Sequence, residues 1–104
     1  MLIAYRVSLD LIRELKPVVV AIRAHSRELA VQLEDVASSV SLNLSEGDRR
    51  AGGDRRRLWS YAHGSAAEVR GALDVAHAWG WLDDATPARI TLDRLLGLLW
   101  GLTH

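Results

Sequence analysis

Five arginines lie within nine positions of this 104-residue chain: Arg49, Arg50, Arg55, Arg56 and Arg57, broken only by Ala51, Gly52, Gly53 and Asp54. Guanidinium groups pair with phosphate in a fork geometry, so a cluster of this kind is a candidate anion site. The second half of the cluster falls at the predicted start of a helix. The helix dipole is positive there, which disfavours cations and suits a bound anion. Trp59 and Tyr61 follow and offer rings on which bases could stack. One reading of Arg49, Arg50, Arg55, Arg56, Arg57 and Trp59 is therefore a nucleic-acid-facing patch for RNA or DNA. The other is a solvated arginine run that pairs with Asp48, Asp54 and Glu46, as charge runs usually do.

Just upstream, Asn43 and Glu46 stand three apart on one helical face that stops at Gly47. We expect this trio to shape a structural corner. Asn43 and Glu46 would hydrogen-bond backbone groups of the connector, and Gly47 would stand just past the helix end. Glu68 is expected to pair with an arginine across the bundle or an interface.

Metal and catalytic chemistry find little support. His63 and His77 lie on one helix, fourteen residues and so about 21 Å apart, too far to share an ion. Asp74 and His77 share a face, but the Glu-x-x-His pairs of di-iron bundles are missing. There is no cysteine, which removes disulfides and thiolate metal sites. Ser60, His63 and Ser65 are close in sequence without a G-x-S-x-G elbow, and there is no Walker or G-x-G-x-x-G loop. We expect no metal, no cofactor and no enzymatic activity.

Four helices must position these residues, and no strand is expected. The first spans about Ser8 to Ala24, with Leu11, Leu15, Val18 and Ile22 at helical spacing. Pro17 lies inside it and predicts a kink or break. The second starts after the N-cap Ser26 and carries Leu29, Leu33, Val36, Val40 and Leu44. The third begins at Asp54 as N-cap, runs to about Trp79 and ends at Gly80. The fourth starts with Thr86 as N-cap and Pro87 at its first position. Short connections favour antiparallel neighbours, hence a single all-α, up-down four-helix bundle over residues 1–104.

The segment Leu95 to Leu102 is apolar on nearly all sides. A short helix at the edge of a small bundle cannot bury every side within its own chain. The remainder marks an interface, so Leu95, Leu96, Leu99, Trp100 and Leu102 are candidate contacts in a homo-oligomer. The alternative is that Trp100 and Leu102 fold back on the core. Eight apolar residues are far short of the roughly 20 a membrane span needs, and no signal peptide is evident, so a cytoplasmic protein is expected. Thirteen basic and thirteen acidic residues give zero net charge, which removes any global attraction to nucleic acid.

Ser41-Leu42-Asn43-Leu44-Ser45-Glu46-Gly47 and His63-Gly64-Ser65-Ala66-Ala67-Glu68-Val69-Arg70, in this order and spacing, resemble the four-helix bundle family of 23S rRNA intervening-sequence proteins. The accessory variability determinant of diversity-generating retroelements is related to it. The resemblance covers roughly Ser26 to Leu82. It implies a ring-like homopentamer that recognises a partner, either another protein or RNA or DNA, as a scaffold or adaptor. The retroelement accessory proteins are basic and bind nucleic acid and a reverse transcriptase. This chain is neutral, so the non-enzymatic scaffold stands first and nucleic-acid binding second.

Overall fold

A computed structural model describes residues 2–104. Its four helices are α1 (Ile3–Arg23), α2 (Arg27–Asp48), α3 (Gly52–Ala78) and α4 (Pro87–Thr103), with no strand among the described residues. Each helix packs on two others in the cycle α1, α2, α3, α4 and back to α1. The side formed by α1 and α2 thus lies across the bundle from the side formed by α3 and α4.

The core is built from one apolar stripe of each helix, those of α1 and α2 as predicted. Leu11 and Ile22 of α1, Leu33, Val40 and Leu44 of α2, Val69 and Leu73 of α3, and Leu92, Leu95 and Leu99 of α4 are all buried. Each such side chain stabilises the fold by about 1.5–3 kcal/mol relative to exposure. Between them lie Ala30 and Ala37 of α2 and Ala62, Ala66 and Ala76 of α3. Small side chains let backbones approach, and α2 with α3 is the most extensive helix pair.

Two serines are the only buried polar side chains among the described residues, and they satisfy each other. Ser8 Oγ donates to the Tyr5 carbonyl at 2.6 Å, so at 2.8 Å it accepts from Ser41 Oγ. The bond ties α1 to α2. Half-buried Thr91 of α4 donates to the Glu14 carboxylate of α1 at 2.7 Å.

The helices differ from expectation in four places, three of them at helix ends. First, α1 begins at Ile3 rather than near Ser8, because Ala4 and Val7 extend the buried stripe. Second, Pro17 does not break α1. It sits on the exposed face, where water reaches the carbonyl that its missing N–H leaves free. Third, α3 begins at Gly52, with Ala51 as N-cap. Gly52 takes the left-handed turn at φ +61°. Asp54 lies inside the first turn, where its charge suits the helix dipole. Fourth, Gly47 does not terminate α2, which continues to Asp48.

Elsewhere the predicted signals stand where they were read, although the Thr86 side chain makes no capping hydrogen bond. Ser26 Oγ accepts from the Leu29 N–H at 3.1 Å. Pro87 opens α4 behind Thr86. Gly80, at φ +77°, closes α3. The Gly80 N–H donates to the His77 carbonyl and the Trp81 N–H to the Ala76 carbonyl, both at 2.9 Å. This pair of bonds is the Schellman arrangement.

Candidate functional site

The corner between α2 and α3 gathers most of the polar residues singled out in the sequence. Its centre is Gly47. A Cβ built there would lie 2.6 Å from Trp59 Cδ1, 2.7 Å from Trp59 Nε1 and 3.3 Å from Leu58 Cβ. Glycine is required because the Trp59 indole lies directly on the α2 backbone, and a terminating conformation is not the reason. Trp59 is half-buried and packs against the core, and its Nε1 is buried without a hydrogen-bond partner. The Arg55 guanidinium stands over the Trp59 ring, 5.3 Å from its centroid.

Arg55 is also the side chain that closes the corner. Its Nε donates to the Gly47 carbonyl at 3.2 Å and an Nη to the Asp48 carbonyl at 3.3 Å. These are the last carbonyls of α2, at the negative end of its dipole. An arginine unfavourable for the start of α3 is thus favourable for the end of α2.

Asn43 and Glu46 were expected to hydrogen-bond backbone groups of the connector, and neither does. Asn43 Nδ2 donates back along its own helix to the Ser39 carbonyl (2.9 Å) and to Ser39 Oγ (3.0 Å). Ser39 Oγ lies 2.9 Å from Ser65 Oγ of α3. The polar link across α2 and α3 therefore runs through a serine pair one turn before Asn43. Glu46 accepts from Arg50 Nε at 3.0 Å and Nη2 at 2.7 Å. That hydrogen bond, and then the Arg50 charge, hold the Glu46 carboxyl below its ordinary range and push the Arg50 guanidinium up.

The five arginines divide accordingly. Arg50 pairs with Glu46, Arg57 with Asp54 at 3.4 Å, and Arg55 with the end of α2. Among the described residues, Arg49 and Arg56 make no ion pair, and neither does Glu68. No three His, Asp or Glu side chains among the described residues converge as metal ligands.

The candidate interface on α4 resolves into two faces. Leu95 and Leu99 are fully buried in their own bundle, so the interface role expected of them is corrected: they have no area to give a second copy. Leu96, Leu98 and Leu102 are half-buried against the same core. Trp100 is 58% exposed and Ile90 77% exposed. Trp100 stacks on His104, with centroids 3.4 Å apart, and meets His63 of α3 edge-on at 6.3 Å. The outer face of α4 therefore looks toward the α3 side.

Three features escaped the sequence. Trp79, Trp81 and His25 form a ladder of stacked rings, 5.7 Å and 5.5 Å between centroids, that joins the α3–α4 loop to the α1–α2 turn. Gly80, read only as a helix stop, was its signal, because it sets the turn between two tryptophans. Arg89 binds Asp74 of α3 at 2.8 Å and Asp84 of the loop at 2.9 Å, clamping the start of α4. An apolar groove of about 380 Å³ runs between α1 and α2. No described helix is long and apolar enough to cross a membrane. Compared with known proteins, the chain matches no protein-family model and no curated sequence.

Proposed function

We propose that this chain is a non-enzymatic scaffold or adaptor, an antiparallel up-down bundle that assembles with copies of itself and presents a repeated surface to a partner. The outer face of α4 carries this reading. After Arg94 that helix has no charged residue, and there it holds Trp100 largely in solvent beside half-buried Leu96. A large exposed aromatic group on a stretch of helix without charge is what protein interfaces cover. The resemblance to the 23S rRNA intervening-sequence family supplies the ring of five.

The α2–α3 corner favours the scaffold over nucleic-acid binding. Three of its five arginines are engaged within the chain, and the Trp59 ring already carries Arg55 on one face. The test is light-scattering mass after size exclusion at low and high salt, with RNA and DNA titrations alongside. A multimer at both salts supports an apolar assembly, and a monomer at both overturns it. Phosphate-driven binding falls steeply with salt, so RNA or DNA binding with that dependence would reinstate the arginine patch.

A further inference from the structure

We propose that the groove between α1 and α2 receives the outer face of α4 from a second copy, which makes the assembly head-to-tail. This rests on the self-association proposed above and names the surfaces that would carry it. The groove is apolar, with Ile12, Val19 and Val20 of α1 along one wall and Lys16, Arg23 and Glu34 at its rim. Val20 is 70% exposed, an aliphatic side chain that nothing in its own chain covers. The α4 face lies across the bundle, beside α3, as the Trp100–His63 contact shows. One chain cannot fill its own groove with its own α4. A second copy can, and two unlike surfaces on opposite sides generate a repeat that closes into a ring if its rotation allows.

Charge selects the register. Arg23 and Glu34 already pair across the groove. Among the described residues, Lys16 at the rim has no ion pair, and neither does Asp93 on the α3 side of α4. Both are exposed. With Asp93 of one copy against Lys16 of the next, and α4 running opposite to α1, Gly97 falls beside Ile12. Each is one turn, about 6 Å, from the charged pair. Gly97 is exposed, and a Cβ there would meet nothing within 4 Å in its own chain. A bare backbone at that point lets the groove wall approach, exposed Ile90 falls beside Val19 inside the groove, and Trp100 lies just past its Ile12 end. Between unlike charges the pairing is attractive, and a copy docked in reverse loses it.

The experiment is light-scattering mass of the full chain without a tag, beside Val20→Asp, Lys16→Asp, Asp93→Lys and the Lys16→Asp/Asp93→Lys double variant. Circular dichroism checks that each remains helical, which their exposure in the single chain predicts. Val20→Asp and both single charge reversals are expected to weaken assembly by ~10-fold or more, since each sets a charge on apolar surface or like charges together. The double variant is expected to restore it. A multimer indifferent to Val20→Asp and to the reversals overturns this groove and leaves self-association standing. A double variant as weak as the single ones overturns the register. A monomeric parent chain overturns self-association itself, and the groove assignment with it.

Discussion

The α2–α3 corner and the outer face of α4 are opposites. The corner is rich in charge, yet most of its charge is used within a few residues: Glu46 by Arg50, Asp54 by Arg57, the end of α2 by Arg55. The α4 face is without charge beyond Arg94, and its largest ring, Trp100, stands mainly in solvent. Density of functional-looking groups in the sequence is thus a poor guide to what a surface has left to offer. Arginines beside carboxylates and free carbonyls neutralise one another. An exposed indole has no such local remedy beyond stacking on His104.

The sharpest way to break this comparison is to cut α4 on its two sides. Leu99 is fully buried, so Leu99→Ala is expected to cost about 2–5 kcal/mol in lost burial and cavity. Its neighbour Trp100 is mostly exposed, so Trp100→Ala should change the stability of the single chain by no more than about 0.5 kcal/mol while weakening association. Denaturant melts at low protein concentration read the first effect, and light scattering reads the second. Equal losses of stability for the two variants would mean that Trp100 belongs to the core.

Next in size is Gly47. Its absent Cβ leaves room for the Trp59 ring, and Gly47→Ala should cost about 1–3 kcal/mol by overpacking. Helix propensity alone predicts the opposite sign, a gain of about 1 kcal/mol for alanine within a helix. A thermal melt decides between them. Trp59→Leu in the Gly47→Ala background should recover part of the loss, because it removes the clashing ring.

Much of this architecture was legible in the chain, and the failures have physical causes. Apolar periodicity reports a buried face wherever it occurs, so four helices and most core positions of α1 and α2 followed from spacing, while Ala4, Val7, Ala66 and Ala88 did not. Ser26, Pro87 and Gly80 work through local backbone chemistry and were read at their places. Gly47 was misplaced because a glycine near a helix end has two uses, a left-handed stop or a close approach. Only the partner across the corner, Trp59, distinguishes them. Asn43 and Glu46 share a face toward the connector, but each finds a nearer partner within its own helix or just beyond it. The run Leu95 to Leu102 is apolar all round, so its sequence could not say that Leu95 and Leu99 point inward and Trp100 outward. The groove between α1 and α2 belongs to two helices at once, and no one-dimensional pattern displays it.

Within the corner, Arg55 and Arg56 sharpen the contrast at closer range. Arg55 bonds two carbonyls of α2 and lies over Trp59; Arg56 is exposed and makes no ion pair. Arg55→Ala should destabilise the fold by about 1–2 kcal/mol, near the low end for hydrogen bonds that involve a charged group. Arg56→Ala should stay within about 0.5 kcal/mol. Arg55→Lys is expected to recover little, since an ammonium cannot span two carbonyls in a planar fork. Chemical denaturation of the three variants tests this, and matching losses at positions 55 and 56 would remove Arg55 as the corner clamp.

The smallest effect concerns the pairing of Glu46 with Arg50. Arg50 holds the folded-state value of the Glu46 carboxyl below its ordinary one, first through the hydrogen bond and then through charge. A lowered native value means that the unfolded chain takes up the proton more readily than the folded one. The contribution is therefore fully present above the ordinary glutamate range, about 4.3, and is lost as pH falls through the lowered native value. Both side chains lie in solvent, where salt screens such pairs. Glu46→Gln should therefore leave the melting temperature at pH 7 slightly reduced, flatten the acid side of the stability profile, and make no difference at the lowest pH. High salt should shrink the gap between the two proteins at pH 7. A gap that survives high salt, or that persists below the range where Glu46 titrates, would mean that this residue stabilises the corner through packing and not through its charge.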